Sequence, residues 1–238
     1  MSGLPREPGA AGAPTPGHGR LRIKLCGVRR VEDALLCAAA GADEIGVVLA
    51  TQSRRCISLA LAQQIRAALP PETALVGVLL DATVPLLVEA IDAGPFSALQ
   101  LHGALPPASV VEESPLPLYR ALQIEGAASL PAPIGQGQEE LAGFARVLLD
   151  GPRGGGAGSR FDWQLAWAAR SCFAQQTIFI AGGLNAGNVA AAIASGSPDG
   201  VDVSSGIEGA NGFKDPGRVR AFIDAARAAM RGEPTRVE

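Results

Sequence analysis

Residues 177–206 read TIFIAGGLNAGNVAAAIASGSPDGVDVSSG. Two short apolar runs, TIFIAGG (177–183) and GVDVSSG (200–206), flank a stretch that opens on paired glycines and continues as a helix. A strand, a helix and a second strand in that order form a parallel crossover unit. The same rhythm runs back through the chain. Further apolar runs occur at RIKLCG (22–27), EIGVVLA (44–50), ALVGVLL (74–80), ALQLHG (98–103), PLYRALQI (117–124) and ARVLLDG (145–151). With the two above, that makes eight runs, each separated from the next by about one helix and two short turns.

The intervening stretches carry helix signals. VEDALLCAAAGA (31–42) is rich in Ala and Leu and stops at Gly41. SLALAQQIRAALPP (58–71) opens on Ser58, a good N-cap, and closes at Pro70 and Pro71. KDPGRVRAFIDAARAAM (214–230) places apolar residues at 219, 222, 223, 226 and 230, one helical stripe. The fifth unit, EGAASLPAPIGQGQEELAGF (125–144), predicts only a short helix near its end. Strict alternation in about 210 residues predicts an α/β fold, a single (β/α)8 TIM barrel closed by its eighth strand. No G-x-G-x-x-G follows the first strand, against a dinucleotide fold.

The first 20 residues hold five Gly, four Pro and no apolar core, and read as a disordered N-terminal tail rather than a signal peptide. The barrel is expected over residues 21–231, with a C-terminal tail at 232–238. Of the 238 residues, 47% are hydrophobic and 18% charged, so a large core is expected. The net charge of −3 argues against a nucleic-acid partner. No run is long enough to span a membrane, and a cytoplasmic protein is expected. Cys26, Cys37, Cys56 and Cys172 form no C-x-x-C pair, so neither a metal site nor a redox motif is indicated.

Chemistry in such barrels sits where strands run into their following loops. Those positions hold Cys26, the SRR turn with Arg55, Gln100, His102, Asp150, Gly182, Gly183, Asp202, Ser204, Ser205 and Gly206. Each has a plainer reading: Cys26 as a small buried hydrophobe, Arg55 as a solvated arginine, the rest as turn or cap residues. Gly182 and Gly183 let backbone amides approach an anion, and DVSSG does the same after the last strand, adding the Ser204 and Ser205 hydroxyls. A phosphorylated small molecule is the partner that such loops predict. Asp202 either orients a sugar hydroxyl or caps the turn. His102 either orients a ligand or satisfies buried carbonyls.

The ordered series KLCGV (24–28), SRRCIS (53–58), LQLHG (99–103), LLDG (148–151), GGAGSRFDW (155–163), IAGGLNAGNV (180–189), GVDVSSGIE (200–208) and KDPGRV (214–219) resembles the phosphoribosylanthranilate isomerase family of tryptophan biosynthesis. The resemblance implies an Amadori rearrangement of N-(5-phosphoribosyl)anthranilate with one general acid, one general base, and no metal or cofactor. It implies Cys26 as the base and Asp150 as the acid, and an anthranilate carboxylate facing Arg55. A monomer or weak homodimer is expected. Cys37 and Cys172 fall in helical patterns and are expected to pack; Cys56 lies beside the SRR turn. The Gly-rich segment after Asp150 is expected to order over bound substrate.

The sequence departs from the family pattern at Arg54, where proline is usual, at Ala157, where a hydroxyl residue is usual, and at Val47 and Leu49, where aromatics are common. These leave room for two alternatives: the same reaction on a modified anthranilate, or a non-catalytic barrel that binds a phosphorylated ligand. The related histidine-pathway sugar isomerase, with aspartates ending strands 1 and 5, fits less well, because strand 1 ends here on Cys26.

Overall fold

The structure, a computed structural model, describes residues 20–126, 130, 141, 143–151, 162–170, 172–173 and 175–231. Each apolar run forms a strand: β1 Arg22–Leu25, β2 Glu44–Val48, β3 Ala74–Leu80, β4 Ala98–His102, β5 Leu118–Gln123, β6 Phe144–Asp150, β7 Thr177–Ala181 and β8 Gly200–Val203. All pair in parallel with their neighbours, and β8 pairs with β1, so the sheet closes into a barrel. Strands of a parallel sheet are covered on both faces, which is why they read as near-continuous apolar runs.

The helices among the described residues are α1 Val31–Ala39, α2 Leu59–Ala68, α3 Val84–Ala93, α4 Ala108–Glu112, α5 Gln164–Ala169, α6 Val189–Gly196 and α7 Pro216–Met230. Ser58 caps α2 by accepting from the Leu61 N–H, and Asp215 caps α7 by accepting from the Arg218 N–H. Each satisfies one of the four N–H groups that a helix start leaves without an internal partner. The stripe of α7 buries Val219, Phe222, Ile223 and Ala226. Arg227 on the same helix donates to the Leu21 carbonyl and pairs with Asp43, tying the last helix to the first strands. Gly41 follows α1 at φ +103°, a conformation that costs glycine little.

The barrel interior is not filled by hydrocarbon alone. Arg146 of β6 reaches across to Glu44 of β2 with two bonds of 2.7 and 2.8 Å, and Arg22 adds a third at 2.8 Å. The Arg146 guanidinium lies over the Tyr119 and Phe179 rings. One layer nearer the strand ends, Lys24 of β1 pairs with Asp202 of β8 at 2.8 Å. Buried charges persist only when paired and hydrogen-bonded, and these are.

Some expectations meet a different structure. Cys172 is buried but lies beyond the end of α5, in a turn that closes with its N–H on the Ala169 carbonyl. The tails at 1–19 and 232–238, most of the fifth unit's connection, the segment 152–161 and Ala157 lie outside the described residues.

Candidate active site

Cys26 directly follows β1, and its N–H donates to the Val203 carbonyl of β8. The next residue, Gly27, sits at φ +74°, where a side chain would strike Arg55 and Ser204. The chain therefore turns sharply and leaves the Cys26 side chain inside the barrel mouth. Room for it comes from β2: a Cβ on Gly46 would stand 2.7 Å from Cys26 Sγ. Asp150 ends β6, three strand positions from β1 around an eight-stranded ring, so the two face each other across the mouth.

A cavity of about 750 Å³ opens there. Cys26, Arg55, Gln100, His102, Asp150, Gly182, Gly183, Asp202, Ser204, Ser205 and Gly206 all line it, so every site residue named from the sequence is brought to one place. Gln100 Nε2 and His102 Nε2 lie 2.8 Å apart, which ties the two side chains together. Gly182 and Gly183 adopt φ of +90° and +67°, and the backbone of Gly182 passes so close to Gly151 that a Cβ would meet it at 2.5 Å. No hydrogen bond among the described residues uses the N–H groups of Gly183, Ser205 or Gly206. They form an anion-ready wall of the cavity.

Of the two sequence readings of Asp202, the turn cap is not seen, while its place in the cavity lining leaves the ligand-facing one open. Asp202 Oδ2 accepts from Lys24, and Oδ1 is buried without a partner. The Ser204 hydroxyl is likewise buried and unpartnered. Two such atoms beside one thiol, in one cavity, mark a place built to meet polar groups of a ligand.

Arg55 is not a free surface arginine. Its Nε and Nη2 donate to the two oxygens of Glu208 at 2.6 and 2.9 Å. That hydrogen-bonding holds Arg55 above its ordinary pKa. Glu208 lies below the usual carboxylate range: burial works against this, but Arg55 and Lys214 outweigh it. Lys214, itself pulled down by burial, donates to the carbonyls of Cys26 (2.6 Å) and Ser204 (3.1 Å) and to Glu208 (3.4 Å). Behind Asp150, Gln123 of β5 donates to the Asp150 and Gly151 carbonyls and fixes the end of β6.

The cysteines separate by environment. Burial pushes the Cys26 thiol up, with Lys24 and Lys214 pulling the other way and Asp202 adding to the rise. Cys37, buried in α1, is pushed up to about 12 and is an inert packing residue. Cys56 lies outside the cavity wall and directs its thiol to the Ile57 carbonyl.

Sequence reasoning missed Lys24, Gly46, Gln123, Glu208 and Lys214. Lys24 did carry a signal, a lysine inside a strand destined for burial. Glu208 and Lys214 stood in the quoted motifs without an assigned task.

The family profile for N-(5'-phosphoribosyl)anthranilate (PRA) isomerase matches residues 23–225. The N-(5'-phosphoribosyl)anthranilate isomerase of Pseudomonas paraeruginosa is 41% identical over 218 residues, covering 90% of this chain and 98% of that one. A crystal structure of phosphoribosyl anthranilate isomerase in complex with reduced 1-(o-carboxyphenylamino)-1-deoxyribulose 5-phosphate superposes with a TM-score of 0.74 at 30% identity, covering 88% of this chain and all of that one. A second similar structure shows monomers generated from the dimeric enzyme of Thermotoga maritima, also at a TM-score of 0.74 and 30% identity, with the same coverage.

Proposed function

This chain belongs to the N-(5'-phosphoribosyl)anthranilate isomerase family, and we propose that within it Cys26 is the general base and Asp150 the general acid of that isomerisation. The observation that carries the reading is their placement. A thiol and a carboxyl end strands on facing walls of one cavity whose remaining wall is rich in unspent N–H groups.

The chemistry follows from that placement. Asp150 gives a proton to the furanose ring oxygen as the C1′–O bond breaks, and the anthranilate nitrogen lone pair forms the C1′=N bond. The Cys26 thiolate then takes the C2′ proton, and its electrons move to give an enolamine. The proton taken from C2′ is delivered to C1′ while the enol O2′–H proton is lost and Asp150 is reprotonated, which yields the 2-ketone, 1-(2-carboxyphenylamino)-1-deoxyribulose 5-phosphate, and restores both groups. One acid and one base are sufficient, so the reaction calls for no metal or cofactor. The phosphate is held at Gly183, Ser205 and Gly206, and the carboxylate at Arg55, a planar donor suited to it.

Three of the four departures from the family pattern do not reach the cavity, so they give no reason to read a modified anthranilate as the substrate. Val47, Leu49 and Arg54 do not line the cavity; Val47 is fully buried in the core, and Arg54 lies at the rim, 3.6 Å from Glu208. The same reading places the work in the cytoplasm, by a monomer or weak homodimer. Among the described residues no helix is long and apolar enough to cross a membrane. Turnover of freshly generated N-(5-phosphoribosyl)anthranilate by the purified chain tests the reading. Conversion supports it, and binding without conversion assigns the chain to the non-catalytic barrels.

A further inference from the structure

We propose that Lys24 is a positioning residue for this reaction: buried beneath Cys26 on the same strand, its ammonium supplies the positive charge that lets Cys26 exist as a thiolate in a dry site. The inference rests on the reading of Cys26 as the base.

The geometry begins with strand alternation. Residues two apart on a strand face the same way, so Lys24 and Cys26 both point into the barrel. Lys24 is fully buried, and its register partner on β8 is Asp202. An ammonium has three N–H donors. One goes to Asp202 Oδ2, which leaves donors for the thiol two residues along the strand, and a Lys24–Cys26 hydrogen bond is among the interactions that favour the thiolate. Lys24 therefore holds donors in reserve on the side of the barrel where the thiol lies.

The other charges around Cys26 are already committed. Lys214, from the segment entering α7, divides its three donors among the carbonyls of Cys26 and Ser204 and the carboxylate of Glu208. Arg55, from the turn after β2, is taken by Glu208. From β2 itself the neighbour is Gly46, with no side chain, while Glu44 is occupied by Arg146 and Arg22. Asp202 of β8 opposes a thiolate, and Asp150 of β6 lines the same cavity as the proposed proton donor. Lys24 is thus the cation with capacity to receive a negative sulfur. In keeping with this, it opposes the rise that burial imposes on the thiol, by charge and by hydrogen bonding, more strongly than Lys214 does.

A purely structural ion pair would fill the barrel equally well, so the test must read the thiol. Alkylation of Cys26 by iodoacetamide is followed against pH in the full chain, with the Cys26 peptide quantified by mass spectrometry. In Lys24→Met the midpoint should move up by about one pH unit or more, the scale of a lost opposite charge, and Lys24→Arg should restore most of it. Asp202→Asn, which removes an anion facing the thiol, should move the midpoint down. An unmoved midpoint in folded Lys24→Met overturns the proposal. If that variant does not fold, Lys24→Gln, which keeps a donor for Asp202 but carries no charge, decides: an upward shift supports the proposal and no shift overturns it. The acidic limb of kcat/KM is measured in parallel. If alkylation shifts and the limb does not, Lys24 still controls the thiol, and it is the assignment of Cys26 as base that fails.

Discussion

Arg55 and Glu208, 153 residues apart in sequence, meet side-on at 2.6 and 2.9 Å beside the mouth of the barrel. Glu208 does not line the cavity, whereas Arg55 does. The carboxylate thus grips the Nε edge and Nη2 of the guanidinium, and no hydrogen bond among the described residues uses Nη1. Arg55→Ala should weaken binding of an anthranilate-bearing ligand by about 1.5–3 kcal/mol, the scale of a hydrogen bond to a charged group. A ligand lacking the carboxylate should bind both proteins alike in titration calorimetry. Equal losses for the two ligands would remove Arg55 from carboxylate recognition.

Glu208→Gln should act on the same contact from behind. With its clamp weakened, Arg55 loses its fixed angle, so KM for the carboxylate-bearing substrate should rise several-fold with a smaller change in kcat. Steady-state kinetics check this; a fall in kcat at constant KM would place Glu208 in the chemical step instead.

Gly46 bears on the base. A Cβ there would meet Sγ at 2.7 Å and the Cys26 Cα at 3.1 Å, and the second contact is backbone that cannot swing away. Gly46→Ala should cost about 1–3 kcal/mol of stability through overpacking. Turnover should fall further than the folded fraction does, because the thiol is displaced. Denaturant unfolding together with kcat, corrected for folded protein, measures both; undiminished kcat would show that the thiol's position is not critical.

These contacts mark where sequence legibility ended. The eight strands were readable because parallel strands buried on both faces show as apolar runs, and Ser58 and Gly41 punctuated the helices as their chemistry requires. The runs overshot the strands at Gly182–Gly183 and Ser204–Gly206, where the residues belong to turns. Lys24 stands as a lysine inside the apolar run RIKLCG, but that position alone does not say what neutralises it in the dry interior. Its partner Asp202 is 178 residues away, and no local pattern links the two. Gly46 reads as an ordinary strand glycine until its neighbour across the sheet is known.

The interior pair Glu44–Arg146 predicts the acid behaviour of the fold. Burial alone would raise the Glu44 carboxyl, but the hydrogen bonds and charge of Arg146, with Arg22, bring it below its ordinary value. A carboxylate lowered in the folded state stabilises the protein above its unfolded pKa of about 4.3. That contribution is lost as pH falls through the lower folded value. Thermal melts from neutral pH to about pH 3 should therefore fall more steeply for the wild type than for Glu44→Gln. Arg146→Met should cost about 3–5 kcal/mol at neutral pH, since it strands a buried charge. Identical pH slopes for wild type and Glu44→Gln would contradict the linkage.

The central claim is that Cys26 and Asp150 are the base and the acid. The most direct measurement is kcat of Cys26→Ser and Asp150→Asn on N-(5-phosphoribosyl)anthranilate, alongside binding of the reduced product analogue. A serine hydroxyl is far less acidic than a thiol, and an amide cannot donate the proton that opens the ring. Both variants should lose most turnover while still binding the analogue. Near-native turnover in either one would contradict the account.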